Sequence, residues 1–296
     1  MRYIVMSGTS DATKVIEFLS QDENNYILAT TVTDYGGKIA ESAGATEVIT
    51  HALKKEDFVE LIHEKNIDTL IDATHPFAAV ATETAIESSE KAGINYIRYE
   101  RASTILPESE LIYKVNSFEE GAIKSKELID KNDGKLMHLA GVLNLNKITE
   151  VVGPENVVPR VLPNIFSITK TQDTGVPAAN IVAMQGTYSK EFNMAIMKEY
   201  NIKAIITKES GESGGAENKI NAALELGIPV VLITRPKVEK LNEHIMVRSI
   251  KELKEIDKPF VVLLNSMYPS SEETGRIAEE IADKYGVAVK PINCLE

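Results

Sequence analysis

A single histidine at the end of a strand-like run is the first candidate for chemistry. The sequence DATHPFA (72–78) follows the apolar run NIDTLI, and ligands of α/β proteins gather at the carboxyl ends of parallel strands. Pro76 holds the backbone of His75 extended, and it suits either a bend or the first turn of a helix. An imidazole at this edge can exchange a proton or orient a ligand. A lone histidine is more often structural, so the spacing alone assigns no role.

The turn after the first predicted strand has the composition of an anion site. In SGTSDA (7–12) Gly8 permits a tight turn, and three hydroxyl side chains can donate hydrogen bonds. The backbone N–H groups of the following helix would carry the positive end of its dipole. A phosphate or pyrophosphate fits such a turn. The alternative is a plain capped turn, with Ser10 or Asp11 as the N-cap.

The sequence TDYGGK (33–38) follows the second predicted strand. In nucleotide-binding sheets an acidic residue at this place often binds the ribose hydroxyls. Asp34 would repel a 2′-phosphate and so favours NADH over NADPH. Lys38 has the opposite effect, because its ammonium group could accept that phosphate. A glycine-rich turn without a ligand is the alternative.

Two later segments carry the same kind of signal. TKESGESGGAENK (207–219) lies between a predicted strand and a predicted helix, and its glycines and serines can form a backbone nest for an anion. Lys208 and Lys219 add positive charge, whereas the alternative is a long solvated turn. QGTYS (185–189) also precedes a predicted helix, where Thr187 or Ser189 could simply be the cap.

Composition narrows the functional classes. The chain has 296 residues, 43% of them hydrophobic, with 44 acidic and 32 basic side chains and a formal charge of -12. A negative field disfavours binding to nucleic acid or to an anionic membrane. The single cysteine excludes an internal disulfide, and the histidines lack metal-ligand spacing, so we expect no metal. No apolar run is long enough to span a bilayer, and we expect a cytoplasmic protein.

The elements that must position these residues alternate between β-branched strands and amphipathic helices. This order is typical of parallel sheets covered by helices on both faces. The alternation weakens between Ser103 and Tyr113 and then resumes. We therefore predict an α/β protein with domains at 1–102 and 103–248, followed by an appended βαβ segment at 249–296.

Several of these segments together resemble one protein family. SGTSDA resembles the family's Gly-Gly-Thr-x-Glu-Ala turn, DATHPFA its Asp-Ala-Thr-His-Pro-Phe-Ala motif, and PRVLP (159–163) a further family segment. AMQGTYSKEFN and the run from ITKESGESGG to VVLITRP resemble two more motifs, in the family's order. The family is precorrin-6A reductase, including the cobalt-precorrin-6A reductases, and the resemblance covers about residues 1–240.

The resemblance implies NAD(P)H-dependent reduction of one C=C bond in the macrocycle of precorrin-6A or cobalt-precorrin-6A. It also implies two Rossmann-like domains with parallel sheets and an active site in the cleft between them. We accordingly predict His75 as the catalytic residue, more as a contact or orienting group than as an acid. The predicted cofactor contacts are Ser7, Gly8, Thr9, Ser10, Asp11, Thr33, Asp34, Lys38 and Thr74. The predicted substrate contacts are Pro76, Phe77, Gly186, Tyr188, Ser189, Lys208, Glu209, Ser210, Gly214, Gly215, Lys219 and Arg235.

Two segments depart from the family pattern, and the tail adds a second resemblance. AGVL (140–143) stands where the family has Thr-Gly-Ser-Lys, which removes a polar anion contact, and GTYS replaces Gly-Pro-Phe-Ser. Residues 249–296 resemble the end of the nucleotide-hydrolase domain of stage IV sporulation protein A, without its phosphate-binding loop. One alternative function is therefore a non-catalytic tetrapyrrole carrier. Another is a sporulation-linked scaffold whose tail binds a protein partner.

Overall fold

The computed structural model describes residues 1–101, 106–209, 215–248, 250–255, 261–265, 271–285 and 288–292. The chain forms two compact units, Met1–Met246 and Val247–Glu296. The larger unit contains two sheets of six strands each, and the smaller unit contains one two-stranded sheet.

The helices and strands follow the predicted alternation. The first half of the larger unit runs through β1 (Arg2–Met6), α1 (Ser10–Leu19), β2 (Tyr26–Thr30), α2 (Asp34–Ser42), β3 (Glu47–Ile49), α3 (Lys55–Glu64), β4 (Thr69–Asp72), α4 (Ala79–Ala92) and β5 (Asn95–Tyr99). The second half runs through β6 (Ile112–Val115), α5 (Phe118–Asp130), β7 (Lys135–His138), α6 (Leu145–Val152), β8 (Val157–Val161), α7 (Ile165–Gln172), β9 (Val182–Ala183), α8 (Lys190–Glu199), β10 (Ile202–Lys208), α9 (Ala216–Glu225), β11 (Val230–Ile233) and β12 (Ile245–Val247). Short 3-10 helices lie at Val142–Asn144, Pro154–Asn156, Ala178–Asn180 and Glu239–Glu243.

The two six-stranded sheets share one topology and exchange their outer strands. The first sheet has the order β12-β5-β4-β1-β2-β3 and the second has the order β6-β11-β10-β7-β8-β9. Strand β6 follows β5 in the chain but pairs with β11, while β12 follows β11 but joins the first sheet beside β5. Strands β1 to β5 pair in parallel, as do β6 to β11. The α/β fold with two Rossmann-like parallel sheets is therefore confirmed.

The second sheet is buried on both faces, as a strand with apolar residues at every position requires. Ile206 and Ile233 face one apolar cluster, whereas Ile205 and Leu232 face the cluster on the opposite side. All four side chains are 2% exposed or less. A sheet buried in this way can present its carboxyl edge, where the predicted motifs lie, as a rigid platform.

Threonine N-caps fix the backbone of two of the predicted ligand turns, at the start of α1 and of α2. Thr9 caps α1 by accepting a hydrogen bond from the Ala12 N–H at 3.1 Å, and Thr33 caps α2 by accepting one from the Gly36 N–H at 3.1 Å. Helix α2 begins at Asp34, because the Thr33 cap takes one of the free N–H groups of its first turn.

The smaller unit has the predicted βαβ order. It contains α10 (Ile250–Glu255), β13 (Val261–Asn265), α11 (Glu272–Tyr285) and β14 (Ala288–Ile292). Strands β13 and β14 pair in parallel, and α11 connects them in sequence. The domain boundaries at 102/103 and 248/249 stay predictions.

Gly121 sets how closely α5 approaches the second sheet. A Cβ at this position would lie 2.9 Å from Ile206 Cδ1 and 3.7 Å from Ile233 Cγ1. We expect Gly121→Ala to destabilise the protein by about 1–3 kcal/mol through overpacking, although alanine improves helix propensity by about 1 kcal/mol. Urea denaturation measures the change.

The exposed residue Lys126 on the same helix provides the control. We expect Lys126→Ala to change stability by less than about 0.5 kcal/mol. A Gly121→Ala protein that is more stable than the parent would show that α5 has room to move outward.

Candidate active site

A cavity of about 390 Å³ opens beside the turn between β1 and α1. Five of the predicted cofactor contacts line it, together with residues that were not named as cofactor contacts. The predicted ones are Ser7, Gly8, Thr9, Ser10 and Thr33, and the additional ones include Tyr35, Gly36, Ile16, Ile39 and Gln185. Gln185 belongs to the second half of the unit, so the cavity draws on the loops of both sheets.

The backbone at this turn leaves room for a ligand. Gly8 has φ +103°, and a Cβ there would meet only Thr31 Oγ1 within 4 Å, at 3.9 Å. A larger residue would be strained, and its side chain would fill the open space. The N-terminus of α1 supplies N–H groups to the same place. These features fit the pyrophosphate of a dinucleotide, with an apolar wall from Ile16 and Ile39 on one side of the cavity.

Four predicted cofactor residues lie outside the cavity lining, namely Asp11, Asp34, Lys38 and Thr74. The Asp11 carboxylate is 7% exposed and forms an ion pair with Arg101 at 2.9 Å, so it is not free for a ligand. Asp34 and Lys38 are exposed on α2, one helical turn apart. The cavity is instead lined at α2 by the neighbouring residues Thr33 and Tyr35.

Asp72 anchors the DATHPFA segment from beneath. It is completely buried and forms an ion pair with Arg98 at 2.8 Å. Its Oδ1 accepts hydrogen bonds from the Thr74 N–H at 3.0 Å and the Thr74 hydroxyl at 2.6 Å. Its Oδ2 accepts from the Thr82 hydroxyl at 2.7 Å and the Tyr96 hydroxyl at 3.0 Å. The predicted contact Thr74 is therefore held in place by Asp72.

The DATHPFA segment also contacts the turn between β1 and α1. The Thr9 hydroxyl donates a hydrogen bond to the Ala73 carbonyl at 2.7 Å. Pro76 is buried and lies in the bend before α4, which begins at Ala79. The segment is thus fixed both to the cavity wall and to the strand beneath it.

His75 is held as a neutral imidazole. Its Nδ1 accepts a hydrogen bond from the Phe77 N–H at 3.2 Å, which leaves the proton of the neutral ring on Nε2. Burial, and after it the nearby charges of Lys208 and three arginines, lower the pKa of His75 to about 3. An imidazole with this pKa carries no positive charge near neutral pH.

Phe77 joins the two halves. It packs against the buried cluster on one face of the second sheet, and the Lys208 ammonium lies 5.1 Å from the centre of its ring. The centre of the His75 ring lies 5.8 Å from the centre of the same Phe77 ring. The structure therefore brings the predicted residues His75, Phe77 and Lys208 together, although they come from different sheets.

A chain of alternating charges crosses from one sheet to the other. Glu100 pairs with Arg98 at 2.8 Å and with Arg235 at 2.7 Å. The Arg235 side chain also donates to the carbonyls of Arg101 at 2.9 Å and Glu209 at 3.2 Å. The predicted substrate contacts Arg235 and Glu209 are therefore already engaged with each other and with the first half.

The remaining predicted substrate residues lie around the loop at 185–189. Gly186 has φ +146°, the Tyr188 hydroxyl donates to the Gln185 carbonyl at 2.9 Å, and Ser189 caps α8. A Cβ on Gly215 would lie 3.1 Å from Thr187 Cγ2, so this loop packs against the start of α9. Ser210 and Gly214 lie outside the described residues.

Lys219 is buried, unlike a lysine on the protein surface. It is 4% exposed, and burial, followed by the charges of Arg160 and Lys208, lowers its pKa to about 7. The sequence reasoning missed Arg98 and Glu100, whereas Arg160 and Gln185 lie in segments that it singled out, PRVLP and QGTYS, without being named as contacts. A signal existed for one of them, because a charged residue inside the apolar strand NYIRY is unusual unless it is paired.

Two further observations concern the described residues as a whole. No group of three or more His, Cys, Asp or Glu side chains among them is arranged to hold a metal ion. No helix in the part of the chain that the structure describes is long and apolar enough to cross a membrane.

The fold and the site define a Rossmann-like α/β protein with a cavity at the turn after β1 and with His75 and Lys208 placed around Phe77. The family model described as Precorrin-6x reductase CbiJ/CobK matches residues 2–256. The chain belongs to this family, and it is an oxidoreductase of the precorrin-6A reductase type, which confirms the resemblance stated from the motifs.

Named relatives and one solved structure agree with this assignment. The chain is 44% identical to the cobalt-precorrin-6A reductase of Methanothermobacter thermautotrophicus over 83% of this chain and 80% of that protein. It is 41% identical to the cobalt-precorrin-6A reductase of Methanocaldococcus jannaschii over 81% of this chain and 92% of that protein. The structure of CobK precorrin-6A reductase superposes with a TM-score of 0.68 at 19% identity, covering 86% of this chain and 94% of that chain, and supports the fold.

The Asp72–Arg98 pair should be costly to break. We expect Asp72→Asn to destabilise the protein by about 3–5 kcal/mol, because it leaves Arg98 without its buried counter-charge. Urea denaturation measures this. The double variant Asp72→Asn/Arg98→Met removes both charges and should recover part of the loss, whereas equal losses in the single and double variants would contradict the pairing. Glu83→Gln, at an exposed site on α4, is the control.

The neutral state of His75 predicts its behaviour with pH. Its pKa is about 3 in the folded protein against 6.5 when unperturbed, so the unfolded chain binds more protons between these values. Its contribution to stability is therefore lost as the pH falls from 6.5 towards about 3. The NMR shift of the His75 Cε1 proton should stay constant from about pH 8 to about pH 5. A titration midpoint near that of a free histidine would contradict this.

Proposed function

We propose that the chain reduces one C=C bond in the macrocycle of cobalt-precorrin-6A with a nicotinamide cofactor, giving cobalt-precorrin-6B. The observation that carries the proposal is the Thr9–Ala73 hydrogen bond. It holds the dinucleotide-type cavity against the segment that bears His75. The Methanothermobacter and Methanocaldococcus relatives are both named for the cobalt-containing substrate.

The cavity residues suit the parts of a dinucleotide. Gly8, Thr9 and Ser10 would hold the pyrophosphate through backbone N–H groups and hydroxyls. Thr33 and the neighbouring Asp34 would bind a ribose. We favour NADH over NADPH, because the Asp34 carboxylate repels a 2′-phosphate, although Lys38 lies one turn further along the same helix.

The residues near His75 would orient the substrate and limit the access of water. When bound, the nicotinamide supplies a hydride, and a proton completes the reduction. His75 is suited to donate a hydrogen bond from Nε2, and its low pKa argues against a role as a cationic acid. Pro76 and Phe77 contribute apolar surface beside it, while Thr74 positions the segment through Asp72.

The substrate's carboxylates match the cations of the second half. Lys208 lies beside Phe77, and no carboxylate among the described residues pairs with it. We propose that it binds a substrate carboxylate, with the loop at Gly186, Tyr188 and Ser189 on the same side of the sheet edge. Arg235 and Glu209 would act by holding the two halves together.

We propose a separate role for the tail, residues 249–296. Its resemblance to part of a sporulation protein suggests a binding surface for a protein partner. The described elements β13, α11 and β14 form a unit of their own, which is compatible with a role apart from reduction.

Anaerobic turnover tests the proposed function. Purified protein is mixed with cobalt-precorrin-6A and either NADH or NADPH, and nicotinamide absorbance is followed together with product mass. We expect a gain of two hydrogens matched to cofactor oxidation, faster with NADH. Binding of the tetrapyrrole without oxidation of either cofactor would instead favour the carrier function.

A pair of glycine variants tests the cavity. Gly8→Ala should abolish NADH binding, because the methyl group enters the cavity and strains a backbone at φ +103°. Gly93→Ala also places alanine at a positive φ, +70°, where the left-handed region makes the strain smaller than at Gly8, and no atom lies within 4 Å of the added Cβ; it should leave binding intact. Fluorescence titration with NADH compares the two. Equal binding by both variants would contradict the assignment of the cavity.

A further inference from the structure

Two cations without a carboxylate partner among the described residues lie on either side of Tyr188 in the chain's second half. The Arg160 guanidinium carbon is 5.6 Å from the Tyr188 ring centre, and Lys219 follows Asn218, whose side chain donates to the Tyr188 carbonyl at 3.1 Å. Lys219, on the first turns of α9, is 4% exposed. Arg160, on β8, is partly buried, and its charge is one of the causes that lower the pKa of Lys219. Among the residues that the structure describes, neither side chain forms an ion pair with a carboxylate.

The arginine is oriented but not neutralised. Arg160 Nη1 donates to Asn193 Oδ1 at 2.9 Å, and its guanidinium carbon lies 5.6 Å from the centre of the Tyr188 ring. Asn193 in turn donates to the Tyr188 and Ser189 carbonyls at 3.2 and 2.7 Å. These neutral contacts fix the guanidinium while leaving most of its donors free.

Such an arrangement is costly in the free protein. Burial without a counter-charge disfavours the charged form of a lysine, and a second cation nearby disfavours it further. The buried Arg98 of the same molecule differs from these two cations, because it forms ion pairs with both Asp72 and Glu100. A chain with 44 acidic residues does not lack carboxylates for this purpose. The missing anions are therefore expected from a ligand.

We propose that Arg160 and Lys219 form a clamp for two neighbouring carboxylates on one edge of the substrate macrocycle. The inference rests on the proposed function and adds Arg160 as a residue that selects and orients the substrate. Two carboxylates would supply one negative charge for each cation. The planar guanidinium suits a bidentate carboxylate contact, and the ammonium group suits a single charge.

The clamp is connected to the cofactor cavity. Tyr188, beneath the Arg160 guanidinium, donates to the carbonyl of Gln185, and Gln185 lines the cavity. On the other side, Asn218 in α9 donates to the Tyr188 carbonyl at 3.1 Å. Carboxylates held by the clamp would therefore fix the macrocycle relative to the cofactor.

Binding of polycarboxylate porphyrins tests the clamp without turnover. The full-length variants Arg160→Met and Lys219→Met are titrated with uroporphyrin I, which has eight carboxylates, and separately with NADH. We expect the Kd for uroporphyrin to rise on the order of tenfold or more in each variant, with NADH binding unchanged. Lys198→Met, which removes an exposed lysine from α8, should bind both ligands as the parent does.

The thermal stability of the variants tests the proposed clamp independently of the binding titrations. Removing a buried, uncompensated charge should stabilise the ligand-free protein, so Lys219→Met should raise Tm by about 2–4 °C. Uroporphyrin should raise the Tm of the parent more than that of the variant. The conservative variant Arg160→Lys keeps the charge but not the fork, and should bind uroporphyrin with intermediate affinity.

The outcomes separate the clamp from other roles. Weakened NADH binding with unchanged uroporphyrin binding would overturn the proposal, because the cations would then hold a cofactor phosphate. Unchanged binding of both ligands, or a lower Tm for Lys219→Met, would also overturn it and leave a structural role. If the parent binds uroporphyrin through these residues but does not turn over cobalt-precorrin-6A, the clamp stands and the reductase function fails.

Discussion

The burial of Asp72 with Arg98 is the constraint on which the site depends. A carboxylate with no exposed surface is stable only with a counter-charge and with its remaining lone pairs satisfied. Asp72 receives both, because Arg98 and three hydroxyl groups surround it. The geometry required for this fixes the backbone that follows. The end of β4 therefore presents Thr74 and His75 in one orientation, beside the turn that carries Gly8.

The same charge pairing extends across the molecule and joins its halves. Arg98 forms an ion pair with Glu100, and Glu100 forms another with Arg235 at the end of the second sheet. The exchange of β6 and β12 between the sheets makes this junction covalent as well, because the chain passes between the halves twice. Two crossings restrict the relative motion of the sheets more than one linker would. Side chains on the two halves are therefore held in a fixed relative orientation, as the proposed reaction between two bound ligands requires.

Paired and unpaired cations divide the second half into two kinds of surface. Arg235 has its partners within the protein and serves the junction. Lys208, Lys219 and Arg160 have no carboxylate partner among the described residues, and Lys208 lies 5.1 Å from the ring centre of Phe77, a residue of the first half. These cations give an acidic chain a local positive field. Their burial destabilises the free protein, and the proposed anionic ligand would relieve that cost.

The sequence by itself determined the alternation of strands and helices, the class of fold and the family. These follow from local patterns, since the period of apolar residues and the types of residue in each turn are properties of neighbouring positions. The cavity turn at Gly8 and the segment at His75 were also recognisable, because each lies within a few residues of a strand end. The tertiary structure alone decided that Arg160 bonds Asn193, that Gln185 reaches the cavity beside Gly8, and that Arg235 pairs with Glu100. Each of these contacts joins residues far apart in sequence. The last two also join the two halves of the larger unit, and the exchange of two strands that brings those halves together leaves no mark in the local pattern.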